Sequence, residues 1–124
     1  MNFKQGDVIV ATVWRKIGSE QKIYKRPCII VQNDIGNAFS NTTIIIPLTK
    51  QNKKEIPTHY VLHRDKYTFL RYDSIVLCEQ IYTIDLSRIS KKIGSININD
   101  LHNIYKIICK NFQIGMRGNF LWKI

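Results

Sequence analysis

Apolar positions in this chain come in short blocks over the first hundred residues and in one longer block of a different period near the end. Asp7 to Trp14 alternates and is rich in Val, Ile and Thr, which predicts a first strand after a turn at Gly6. Cys28-Ile29-Ile30-Val31 and Thr42 to Ile46 are unbroken apolar or β-branched runs. The polar stretch between them, with Asn33, Asp34, Gly36 and Asn37, reads as the loop of a hairpin. His59 to Leu62 is a short strand after Pro57. Ile75-Val76-Leu77-Cys78, launched by Asp73-Ser74, is apolar on both faces and so belongs inside a sheet covered on each side. Thr83 to Arg88 and Lys91 to Ile98 form a turn and a further short strand. The period then changes: Leu101, Ile104, Tyr105, Ile108 and Phe112 recur at helical spacing and predict one amphipathic helix over about 99–114, with Asn99-Asp100 as its N-cap and Gly115 as its stop. A tail, 116–124, ends in Phe120-Leu121-Trp122 and two further residues. The expected fold is therefore mainly β, an antiparallel sheet with a C-terminal helix, in a single domain spanning 1–124.

The first hairpin places chemistry at its open end. Arg26 precedes Pro27, which restricts its backbone to extended conformations and aims its side chain. An antiparallel hairpin over Arg26 to Lys50 returns Thr49 to the same end, so a guanidinium fork and a hydroxyl stand close together as a plausible anion site. Ahead of it, Arg15 to Lys25 (RKIGSEQKIYK) reads as a basic loop able to offer charge, amides and the Tyr24 ring to a flexible strand. Trp14, Tyr24 and Phe39 are candidate stacking partners for splayed bases and equally good core residues. His59 and His63 tempt as an acid–base pair, but their spacing puts them on one face only in a helix, and Pro57 with its β-branched neighbours favours a strand; they read as structural. Glu79 and Gln80, at the end of the central strand, serve equally well as a pair orienting the arginine or reading a base edge and as a buried pair fixing the fold.

Charge changes the picture more than composition does. A formal charge of +10 and a pI near 9.7 favour polyanionic partners, because each cation brought near a phosphate gains by counterion release. Cys28, Cys78 and Cys109 are widely spaced and odd in number, so buried free thiols in a reducing cytoplasm are expected and a structural zinc is not. The N-terminus lacks the apolar segment of a signal peptide, and no run of about twenty apolar residues exists to span a membrane. There is no DxD-type carboxylate cluster, HExxH or Walker loop, so neither a metal nor another cofactor has a visible seat.

GSEQ at 18–21, Arg26-Pro27, QNDIGNAFS at 32–40, PLT at 47–49, PTH at 57–59 and DSIVLCEQIYTID at 73–85 together resemble the toxins of the MazF/PemK family, from about Gly6 to about Ile89. The resemblance implies an SH3-like barrel of the CcdB/PemK toxin type that usually forms a homodimer. It further implies a sequence-selective, metal-independent endoribonuclease that cuts single-stranded RNA and is neutralised by an acidic antitoxin. Arg26 and Thr49 fall at the catalytic centre of that family. Ser19, Glu20, Gln21, Lys22, Tyr24, Lys25, Asn37, Phe39, Lys50 and Gln80 are the expected RNA-binding residues. One departure stands out: Lys22-Ile23-Tyr24-Lys25 is bulkier and more basic than the glycine-rich connection usual there. A second branch of the same fold, the CcdB relatives, poisons DNA gyrase and ends in a tryptophan near the C-terminus, as Trp122 does here. That is the alternative function.

Overall fold

The computed structural model describes residues 2–17, 20–51 and 56–113, and of residues 15–17 and 20–22 the backbone alone. Among the described residues seven strands run in the order β1 (Asp7–Ile17), β2 (Glu20–Ile30), β3 (Thr42–Lys50), β4 (His59–Leu62), β5 (Ser74–Leu77), β6 (Tyr82–Asp85) and β7 (Ile89–Ser95). The α-helices among the described residues are the short α1 (Asp34–Phe39), between β2 and β3, and α2 (Ile98–Asn111), after β7. All pairings are antiparallel, and the spatial order is β4-β5-β3-β2-β1-β7, with β6 paired to the start of β3. The mainly β architecture with a C-terminal helix is the one the residue pattern predicts.

Unbroken apolar runs are explained by cover on both faces. Consecutive residues point to opposite sides of a strand. Val8, Ile29 and Ile46 accordingly join one core with Leu48, Leu62, Val76 and Ile104, while their neighbours Ile9, Cys28, Ile30 and Ile45 join a second core with Phe3, Val13 and Ile84. Helix α2 covers the first through Leu101, Ile104, Ile107 and Ile108. All four residues of β5 are buried, as its sequence requires.

The structure departs from the sequence reading in five places. Tyr82–Asp85, within the stretch read as a turn over Thr83 to Arg88, is strand β6. The polar stretch after β2 is not a plain loop: Asn33 caps α1, accepting from the Gly36 amide at 2.8 Å. The same Asn, Asp and Gly types that favour turns also favour helix caps. The supposed basic loop 15–25 is mostly paired strand, since β1 and β2 run in register out to Ile17↔Glu20. Helix α2 is capped by Asn97, whose side chain accepts from the Asp100 amide at 2.8 Å, and not by Asn99-Asp100. Asp100 lies inside the first turn, buried, its carboxylate accepting the hydroxyls of Tyr60 and Tyr67. Finally, Tyr105 and Phe112, expected on the buried stripe, are 59% and 62% exposed. Gly6 does make the turn before β1, at φ +91°. The tail 116–124, with Trp122, lies outside the described residues. Among the described residues no helix is long and apolar enough to cross a membrane.

Candidate active site

Strand β3 changes partners along its length, and the candidate site occupies the point of change. Its pairing with β2 ends at Cys28↔Pro47, and from Leu48 it pairs with β5. Pro27 and Pro47 have no N–H to give to a ladder, so the β2–β3 seam has little to hold it closed beyond them. Two residues further along each strand stand Arg26 and Thr49, facing the gap. One arm of the guanidinium crosses it: Nη2 of Arg26 donates to the Leu48 carbonyl at 3.0 Å. That bond holds the side chain in place while other N–H groups of the fork remain for an anion.

Around them is a cavity of about 240 Å³ lined by Lys25, Arg26, Pro27, Leu48, Thr49, Lys50, Tyr72 and Ser74. Three of these carry positive charge and none carries negative charge. Lys50 Nζ stands 5.3 Å from the centre of the Tyr72 ring, a cation–π distance, and Ser74 Oγ donates to the Tyr72 carbonyl at 3.0 Å. Tyr72 and Ser74 escaped the sequence reading, which saw in this segment only a strand start. Their signal was the β3–β5 register, which sets Ser74 opposite Lys50, and register is not visible in a single strand's pattern.

The other expected residues are placed differently from one another. Lys25 and Lys50 share the cavity with Arg26 and Thr49. Tyr24 precedes Lys25 on β2, exposed and opposite Val13, and Phe39 closes α1 at 88% exposure, so both rings are open to a ligand. Asn37 is committed elsewhere. Its Oδ1 accepts from Thr43 Oγ1 at 2.7 Å and from Gln32 Nε2 at 3.0 Å, and its Nδ2 donates to the Gln32 carbonyl at 2.9 Å, tying α1 to β3 and to the segment that follows β2. Gln80 follows β5, its Oε1 3.5 Å from the Tyr82 hydroxyl. Glu20, Gln21 and Lys22 are described by backbone only, in β2. Ser19 lies outside the described residues. Trp14 is already covered, with the Arg88 guanidinium carbon 3.2 Å from its ring centre.

Several alternative chemistries lose their geometry. His59 is bonded through Nε2 to Glu79 Oε2 at 3.2 Å, and the same oxygen accepts from Thr58 at 2.7 Å. Glu79 is thereby tied to β4 and not to the arginine, and neither His59 nor His63 lines the cavity. Cys28 lies close to Arg26 in sequence, but burial pushes its thiol up to about 12 against the opposing pull of the Arg26 charge. It is a neutral core thiol and not a nucleophile.

An antiparallel sheet with a C-terminal helix and a cationic pocket where two strands part defines a class of small toxins, and comparison with known proteins places the chain within it. Residues 4–112 match the family described as PemK-like, MazF-like toxin of type II toxin-antitoxin system. The chain is 46% identical over 94 residues to Endoribonuclease EndoA of Bacillus subtilis, covering 75% of this chain and 79% of that one. It is 43% identical over 91 residues to Endoribonuclease MazF of Staphylococcus saprophyticus, covering 73% and 74%. The crystal structure of MazE-MazF from Deinococcus radiodurans shares the fold, with a TM-score of 0.72 at 14% identity over 91% of this chain and 98% of that one. The chain belongs to the PemK-like, MazF-like toxin family.

Proposed function

We propose that this toxin is an endoribonuclease that cuts single-stranded RNA without a metal, with Arg26 and Thr49 at the scissile phosphate. The observation that carries the reading is the guanidinium of Arg26, tethered to the Leu48 carbonyl and opening with Thr49 into a pocket that has three cations and no carboxylate among the described residues lining it. RNA contains its own nucleophile. The 2′-hydroxyl gives up its proton to solvent water as its oxygen bonds to the adjacent phosphorus, the bond to the 5′-oxygen breaks and that oxygen takes up a proton, and the products are a 2′,3′-cyclic phosphate and a 5′-hydroxyl. Charge grows on the phosphoryl oxygens on the way, and a planar fork that can hold two of them, with the Thr49 hydroxyl as a further donor, stabilises it. Arg26 also suits protonation of the leaving 5′-oxygen. It does not suit the role of base, because a guanidinium offers donors and no acceptor. Lys25 and Lys50 draw the strand in, and Tyr24 and Phe39 offer rings to its bases.

An acidic antitoxin is the natural counterpart of a +10 chain, in keeping with the MazE that accompanies MazF in the Deinococcus radiodurans structure. A homodimer and a cytoplasmic location complete the reading, the latter in keeping with three free cysteines. Nothing described favours the gyrase alternative, and the curated relatives are named as endoribonucleases.

The test is incubation of the purified protein in EDTA with long single-stranded RNA, mapping cut positions and end groups beside an Arg26→Ala control. Cuts at one short motif with 2′,3′-cyclic phosphate ends, abolished by the substitution, are expected. Intact RNA across a diverse library rejects the proposal.

A further inference from the structure

The catalytic cavity does not end at Tyr72. A second cavity, of about 340 Å³, shares Pro27, Tyr72 and Ser74 with it, so the two adjoin. The second half has its own two cations, Arg71 and Lys91, both exposed and with no ion-pair partner within 4 Å among the described residues. The neighbouring Lys92 differs: it is held 3.1 Å from the buried Asp7. No carboxylate lines this half either. Its floor is apolar and built for close fit, since the Phe69 ring lies against Gly94 so tightly that a Cβ there would collide with it. Ile93 and Leu70 extend that floor.

We infer that this second cavity is a binding subsite for the RNA strand where it leaves the cleavage position, with Arg71 and Lys91 on two flanking phosphates and Tyr72 and Phe69 against a flanking base. The inference rests on the ribonuclease reading. A strand whose phosphodiester lies at Arg26 must pass over the rim of the first cavity. On this side the rim is Tyr72, half-exposed and shared by both cavities, and the next cations stand just beyond it. Two point charges flanking an apolar floor and an aromatic edge match the alternating phosphate and base of a single strand. Length beyond the recognised motif thus contributes to affinity and not to the chemical step.

The experiment compares wild type with Arg71→Ala/Lys91→Ala on two substrates: the shortest RNA that wild type cuts, and the same RNA lengthened by several nucleotides on each side. The double variant is expected to raise KM on the lengthened RNA about tenfold with kcat unchanged, to leave the short RNA unaffected, and to make the salt dependence of binding shallower by about 1.4 in log–log slope, two phosphate contacts' worth for a single strand. A charge-keeping pair, Arg71→Lys/Lys91→Arg, should restore KM, and circular dichroism confirms that each variant is folded. Equal behaviour of variant and wild type on the lengthened RNA overturns the inference and leaves the ribonuclease standing. A parallel loss of kcat on both RNAs overturns it in favour of a role in the catalytic cavity. Unchanged RNA cleavage with weakened self-association or antitoxin binding overturns it in favour of a protein-docking surface. If wild type cuts neither RNA, it is the ribonuclease reading that has failed.

Discussion

Two polar regions of this small protein treat charge in opposite ways. At the Arg26 cavity, cations gather with no carboxylate among the described residues that line it, and a guanidinium N–H of the arginine goes to a backbone carbonyl. At the first turn of α2, a single buried carboxylate, Asp100, accepts hydroxyls from Tyr60 on β4 and Tyr67. Those hydroxyl oxygens in turn accept from Asn103 Nδ2 at 3.2 Å and the Asn97 amide at 3.1 Å. The second region is closed: its donors and acceptors are matched within the chain, and it fastens the helix to the sheet. The first is left open, and its unmatched donors are what a phosphate would complete. Polar groups that satisfy one another hold the fold, whereas those that do not are free to bind.

Substitutions in the two regions should therefore fail in different assays. Arg26→Lys keeps the charge and loses the fork, so kcat/KM on RNA should fall by about 10²–10³, in line with the loss of one preorganised donor to a developing oxyanion. Its unfolding free energy in urea should stay within about 0.5 kcal/mol of wild type. Cleavage at the wild-type rate by this variant would remove the bidentate role. Asp100→Ala should do the reverse. With two buried hydroxyls stripped of their acceptor, the protein should lose roughly 3 kcal/mol of stability in urea unfolding, while the folded fraction cleaves RNA at the normal rate. A stable Asp100→Ala protein would mean that water or rearrangement satisfies the tyrosines, and the contrast between closed and open regions would weaken.

The two regions also differed in how far the sequence disclosed them. Arg26 and Thr49 were legible because hairpin topology is: two apolar runs with a polar gap must fold back, and a residue before proline is held extended. The Asp100 network was not. It joins residues 33 and 40 positions apart, and hydrophobic periodicity carries no information about which polar side chain will be buried at such a distance. Asn97 and Asn99 are alike as cap candidates by type, and the choice went to Asn97 because the helix must start early enough to bring Asp100 under the tyrosines. Helix α1 was hidden for a further reason: six residues bury nothing fully, so it has no apolar stripe to read. Tyr105 and Phe112 show the converse, sitting at helical spacing beside a buried stripe without joining it.

Alkali sharpens the comparison in a graded way. Burial pushes the Tyr67 hydroxyl up to about 12, with the Asp100 carboxylate adding to the rise, and Tyr60 is raised for the same reasons. Burial likewise lifts the Cys28 and Cys78 thiols to about 12. In the unfolded chain these groups return to about 10 for tyrosine and about 8.5 for cysteine. Each therefore binds its proton more tightly in the folded state. The stability this represents is complete below the unfolded values and is lost as pH climbs from them towards 12, because the unfolded chain sheds its protons first. The urea midpoint should thus hold steady below about pH 8 and decline steadily above about pH 9. Cys28→Ala/Cys78→Ala should delay the onset of that decline, since the thiols are the first of the four groups to titrate on unfolding, and leave the tyrosine part in place. A midpoint that stays level up to pH 11 would show that the hydroxyls around Asp100 are not held as the closed network requires.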